Sequence, residues 1–407
     1  MGKKTQLGPV TKRIVLLDVI RGFALVGILF ANILSWSGIK FLPIDTIKSF
    51  GNFTVDSTIY YYLKFFIDTK FYTIFSLLFG IGFSLQISRN RDNPAFPAFY
   101  ARRLILLLLI GSLHALMWSG DILMLYALMG LLILAMRNLS EKQVLRTAVI
   151  MLLIPLALDV VYMYTFASSL QPLPKTALKV YPDMTPAEVV AGFQSTNFLT
   201  VLKTNLHNVM WRWYDFIPSG RPFKVLGLFL LGSYLYSSGY FEKTVGKAKT
   251  FIIWLVLGFG LTFFSISLHG SVASFSKNWG DIFSKFIHET GQISLALSYI
   301  SLIAILLKRF PNFFFWNVLK SYGRMSLTSY IGHSVLGIIV FYPIIGFSFF
   351  GRLSLENVYY IALIILLFQF TFSVLWFKWF KFGPIEWAWR CLTYKKLFPI
   401  RNTKDEK

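Results

Sequence analysis

"LLDVIRGFALVGILFANI", residues 16–33, sets an acid, a base and an amide in an otherwise apolar run of membrane-spanning length. Asp18 and Arg21 stand near its start and Asn32 near its end. An ionisable side chain in a span is costly unless it is paired or functional. At helical spacing Asp18 and Arg21 are i and i+3, on one face. They form either a structural ion pair, with Arg21 snorkelling, or an anion site where Asp18 orients Arg21 toward a phosphate or carboxylate. Gly22 beside them permits close backbone approach. Asn32 lies ~16 Å farther along the helix than Arg21. There an Asn commonly makes an interhelical hydrogen bond.

The rest of the chain supports a membrane reading. Of 407 residues, 56% are hydrophobic and only 14% charged, and mean hydropathy is +0.61. A soluble domain could not hide the apolar surface of 42 Phe. The net charge of +22 sits in short loops between apolar runs. That pattern fits the positive-inside rule and an anionic lipid surface, and nucleic acid is not an expected partner. Cys391 is the sole cysteine, which excludes an intrachain disulfide and a cysteine-based metal site. No metal-ligand spacing and no phosphate-binding glycine loop is present, so no metal is expected. Lys3, Lys4, Lys12 and Arg13 resemble a signal n-region, but the run after them lacks a small-residue cleavage site. It reads as an uncleaved first span.

Apolar runs fall near 14–36, 59–87, 102–118, 121–137, 145–168, 223–240, 250–268, 284–307, 325–347 and 355–379. The expectation is an all-α polytopic membrane protein of about ten helices, one membrane domain over 1–407. Alternate junctions are basic, as with Arg89, Arg102 and Arg103, then Arg137, Lys142 and Arg146. This alternation predicts both termini cytoplasmic, with 380–407 a cytoplasmic basic tail. Residues 169–222 are expected outside as a small cap, although they carry Lys203, Arg212 and Arg221, because long segments escape the charge rule. Within the cap, "MTPAEVV" reads as a capped helix start, with Thr185 as N-cap, Pro186 at N1 and Glu188 closing the box. "LKTNLHNVMWRWYDF" (202–216) reads as an interfacial helix.

Three further stretches carry polar groups. "KFYTIFSLLFGIGFSLQ" (70–86) spaces Ser76, Gly80 and Ser84 four apart, for close approach of a helix or a ligand. "RRLILLLLIGSLHALMWSGDILMLYALMG" (102–130) places His114 ~18 Å beyond Arg102. Asp121 follows a tight turn, where it can cap the next helix or orient His114 as a base. "SYGRMSLTSYIGHS" (321–334) puts Arg324 at one end of a span and His333 inside it, on a face too polar for lipid.

Together with "VLGLFLLGSYLYSSGYF" and "WFKWFKFGPIEWAWRCLTY", these stretches resemble the YeiB-like family of bacterial multispanning membrane proteins. That family looks distantly similar to transmembrane acyltransferases, both the acyltransferase-three type and the lysosomal heparan glucosaminide acetyltransferase type. The shared element is an Asp and an Arg-Gly opening span one, with a polar residue on that span beyond them. Acyltransferase-three proteins have a His at the last position. This chain has Asn32, which agrees with the heparan type.

The resemblance implies an acyl group moved across a bacterial plasma membrane, from a cytoplasmic acyl-CoA co-substrate to a hydroxyl or amine of a cell-surface acceptor. No tightly bound cofactor is expected. Arg21, Asp18, Arg102 and Arg103 would hold the donor's phosphates, and its arm would pass Gly80 and Gly82. His114 would serve as base, Asp121 would orient it, and Asn32 would donate to the oxyanion. Tyr126, Arg324 and His333 would line the path. The alternative is a transporter of a small anionic or lipid-linked molecule, since intramembrane Asp, Arg and His suit a substrate path equally.

Overall fold

The computed structural model describes residues 15–51, 53–165, 184–269 and 278–402. The N-terminal basic stretch and residues 166–183 of the expected cap lie outside the described residues. The first half comprises α1 (Val15–Trp36), α2 (Ile44–Lys48), α3 (Phe53–Phe66), α4 (Lys70–Arg89), α5 (Phe96–Met117), α6 (Leu123–Ala135) and α7 (Glu141–Thr165). The cap helices are α8 (Pro186–Phe193) and α9 (Phe198–Phe216). Then follow α10 (Arg221–Ser237), α11 (Tyr240–Thr244), α12 (Ala248–His269), α13 (Trp279–Arg309), α14 (Phe315–Arg324), α15 (Ser326–Phe341), α16 (Leu355–Trp379) and α17 (Pro384–Tyr394).

Seven helical stretches are long and apolar enough to cross a membrane: α1, α3 with α4, α5, α7, α12, α13 and α16. Shorter apolar helices are α6 and α15. The protein is therefore an all-helical, multi-pass membrane protein. Helices dominate because lipid offers no partner for a free amide or carbonyl.

The quoted stretch forms the centre. α1 packs against α4, α13, α14, α15 and α16, and Val19, Ile20, Ala24, Leu25, Leu29 and Ile33 are fully buried. Between membrane helices packing rests on close backbone approach. A Cβ on Gly22 would overlap the carbonyl oxygen of Leu319, and one on Gly323 that of Asp18. The approach that Gly22 permits is thus by α14. Likewise a Cβ on Gly80 would overlap the Phe229 carbonyl, and one on Gly232 that of Leu77. This pair locks α4 to α10.

The structure departs from the expected helices at two places. The run 59–87 is two helices, broken at 67–69, where Thr69 takes φ 62°. A β-branched residue in that region is strained. The run 325–347 starts where expected but is helical only to Phe341, as α15, and the short α14 precedes it across a break. There Glu386 of α17 accepts from the Leu327 and Thr328 amides and the Thr328 hydroxyl, so it satisfies the open start of α15. The C-terminal basic segment packs on the bundle. α17 docks on α5 and α15, with the Trp389 indole donating to the Arg103 carbonyl at 2.9 Å.

The cap keeps its expected start: Thr185 and Glu188 make the full capping box of α8. α9 is latched down by Asn205, whose amide donates to the Ala115 and Leu116 carbonyls and accepts from the Ser119 N–H.

Candidate functional site: a cavity through the helix bundle

A cavity of about 800 Å³ runs along α1 from Arg21 past Asn32 to Lys40. Its two ends are polar and its middle is apolar.

At the Arg21 end the Arg21 guanidinium donates to Asp18 at 2.8 Å, with Asp18 buried. Three more arginines join it from distant segments. Arg103 lies over the Trp389 ring at 4.1 Å, Arg324 over Phe377 at 4.0 Å, and Arg390 over Phe398 at 4.8 Å. Stacking engages the face of a guanidinium and not its N–H edge, which suits a carboxylate or phosphate; on Arg324 part of that edge already donates to the Lys381 carbonyl at 3.2 Å. Arg102 is elsewhere: it donates to the Thr393 carbonyl at 3.2 Å and is absent from the lining.

The middle is walled by Phe75, Phe79, Leu104, Leu107, Leu123 and Tyr126. Tyr126 is held by Ser76 at 2.5 Å. The two glycines of the expected arm path separate here. Gly82 lines the cavity with open space where a Cβ would be, whereas Gly80 is buried in the α4–α10 contact.

The Lys40 end gathers Lys40, Asp68, Thr69, Tyr72, Arg212, Asp215, Arg221, Lys224 and Glu289. Lys224 pairs with Glu289. Burial, reinforced by Arg212 and Arg221, pushes the Lys40 ammonium below its ordinary value. Burial pushes the Asp215 carboxyl up.

His114 and Asp121 stand behind the cavity wall, not in it. Gly120, Ile122 and Tyr330 line the cavity beside them. His114 Nδ1 is 2.7 Å from Asp121 Oδ1 and Nε2 is 2.8 Å from Ser334 Oγ, all buried. A carboxylate only accepts, so Nδ1 carries a proton toward Asp121, and in the neutral ring Nε2 accepts from the Ser334 hydroxyl. Asp121 bonds the His114 ring and caps α6 at once, because its Oδ2 accepts from the Met124 N–H at the start of that helix. His333 is also off the path. It bonds the Tyr322 hydroxyl at 2.5 Å, and that hydroxyl donates to Gln369.

Sequence reasoning missed Ser334, a small polar residue without local signal. It also missed Lys40, Tyr72, Arg221 and Lys224 as one group. For Arg221 alone the available signal was the charge in 169–222, which runs against the loop pattern on the side expected to be poor in Lys and Arg.

Such a structure defines a polytopic helical membrane protein built around one elongated cavity with basic groups at both ends. The chain belongs to the YeiB-like family. A family model described as "Protein of unknown function (DUF418)" matches residues 235–396. Over 401 residues the chain is 31% identical to an uncharacterized 39.9 kDa protein in the amylase 3′ region of Bacillus acidopullulyticus, covering 97% of each chain. It is 29% identical to uncharacterized protein YxaH of Bacillus subtilis (strain 168), again over 97% of each. With uncharacterized protein YeiB of Escherichia coli (strain K12) it shares 26%, over 95% of this chain and 98% of that one. No solved structure matches.

Proposed function

We propose that this protein is a plasma-membrane acyltransferase of ten spans, with both termini cytoplasmic and the cap outside. The observation that carries the reading is the cavity: one space connects a cluster of stacked arginines to the cap. Arg21, Arg103, Arg324 and Arg390 hold the phosphates of an acyl-CoA-like donor at the cytoplasmic end. The donor's extended arm lies along the apolar middle past Gly82. Its thioester comes to the depth of Asn32, whose amide donates to the oxyanion.

The acceptor hydroxyl or amine attacks the thioester carbon, the carbon–sulfur bond breaks, and the acceptor's proton goes to His114 Nε2. In this reading Tyr330 swings aside and the acceptor takes the place of Ser334 at Nε2. Asp121 keeps the ring in the tautomer a base requires. The departing thiolate takes up a proton as the free thiol.

Single turnover in proteoliposomes tests this, with labelled acyl-CoA on the Arg21 side and cell-envelope acceptor on the cap side. Label should move to acceptor with wild type and not with His114→Ala. A transporter of a small anionic or lipid-linked molecule is the second reading. It is favoured by the basic groups at both ends and by the sealed position of His114. Passage of an unmodified anion through wild type, without label transfer, would decide for it.

A further inference from the structure

At the Lys40 end the cations are interleaved with aromatic rings. The Arg212 and Arg221 guanidiniums both lie over Phe216, at 5.4 and 5.7 Å. Arg221 and the Lys224 ammonium both lie over Tyr72, each at 5.6 Å. Among the described residues neither Arg212 nor Arg221 forms an ion pair. Among the described residues Arg212 Nε, the Tyr72 hydroxyl and the Thr69 hydroxyl are buried with no hydrogen-bond partner, and all three residues line the cavity. A buried donor without an acceptor is costly, and three around one space point to a missing acceptor-rich group.

The neighbouring acids do not supply it. Glu289 is taken by Lys224, and Asp68 lies near Lys70 as well as Lys40. Asp215 feels Arg221, Lys40 and Arg212 but pairs with none of them at contact distance. α10 begins at Arg221 without a side-chain cap, so its amide end adds positive potential. Thr69, held at positive φ, turns the chain here between α3 and α4. Strain of this kind persists only where surroundings impose it.

We propose that the Lys40 end of the cavity is a binding site for a phosphate group carried by the outer substrate. Arg212 and Arg221 grip its oxygens, and Tyr72 and Thr69 donate their hydroxyls. The proposal deepens the transfer reading, for which it makes the acceptor a phosphate-bearing molecule, either soluble or lipid-borne.

The test uses full-length protein in phosphatidylcholine nanodiscs. Tryptophan fluorescence, with Trp211 and Trp213 flanking Arg212, is followed while sodium phosphate replaces chloride at constant ionic strength. A second arm adds phosphatidic acid to the disc. A saturable response to phosphate identifies a soluble source. A response only with phosphatidic acid identifies a lipid source. In either arm Arg212→Gln with Arg221→Gln should raise the midpoint about ten-fold or more, two charge-assisted contacts being lost. Tyr72→Phe, which preserves shape, should raise it about three-fold. No response in either arm, or midpoints unchanged in both variants, overturns the proposal. Acyl-CoA binding on the same wild-type preparations keeps the two readings apart. If CoA fails to bind while phosphate responds, the transfer reading falls and the phosphate site stands.

Discussion

At the residue scale the central object is the buried line Asp121–His114–Ser334. Hydrogen bonds of 2.7 and 2.8 Å fix the ring at both nitrogens. If Ser334 only occupies Nε2 until the acceptor arrives, Ser334→Ala should turn over within a few-fold of wild type. It should also lose about 1–3 kcal/mol of stability, because Nε2 is left buried without a donor. A serine that carried the acyl group itself would instead lose turnover together with His114→Ala, which should fall by ~10²-fold or more. Single-turnover rates beside thermal unfolding separate these outcomes. Two arginines expected at the donor end give a second contrast. Arg21→Lys should weaken CoA binding about ten-fold, as a bidentate fork becomes a point charge. Arg102→Lys should leave binding unchanged, since Arg102 points to the Thr393 carbonyl. Equilibrium binding of labelled CoA to both variants checks this, and equal loss in the two would contradict the assignment. The sequence placed His114 with Asp121, because a tight turn between two helices brings their ends together. It placed Arg102 beside Arg103 without resolving which one faces inward. Adjacent helical residues point about 100° apart, and only the packed partner, here α17, decides which of them reaches the cavity.

At the element scale the small-residue contacts carry the architecture. Gly80 and Gly232 let α4 and α10 meet backbone to backbone. Gly80→Ala should therefore cost about 1–3 kcal/mol and lower the melting temperature in detergent. Gly82→Ala, facing open space, should fold like wild type. If both variants melt alike, the pair is not what joins the helices. The apolar runs were legible because spanning length and composition are read directly from the chain. The breaks at 67–69 and after α14 were not legible. Neither contains Pro, and the second depends on Glu386, 62 residues beyond Arg324 in sequence. An acid that caps another helix leaves no local pattern. The capping box of α8 was legible for the opposite reason: all its parts lie within four residues.

At the scale of the whole molecule, the proposed orientation rests on the loop charges. In a Cys391→Ser background, a cysteine at exposed Lys203 of α9 should react with an impermeant reagent on intact cells. One at exposed Lys308, at the end of α13, should not. The reverse pattern would invert the proposed direction of transfer. The cavity itself was only half visible in sequence, because its lining comes from α1, α4, α5, α6, α9, α10, α13, α14, α15 and α17. Convergence of that kind is a property of packing. One contributor has a consequence in time. α17 supplies Trp389 and Arg390 to the Arg21 end, and Glu386 to the start of α15. It leaves the ribosome after every apolar helix has been offered to the membrane. Until then the cluster lacks Arg390 and the Trp389 ring under Arg103, and the Arg21 end of the cavity is unfinished. A chain stopped after Trp379 should insert in full and resist extraction from the membrane, yet bind no CoA. A synthetic peptide covering 380–402, added back, should restore part of that binding, which makes completion of synthesis itself the event that closes the donor site.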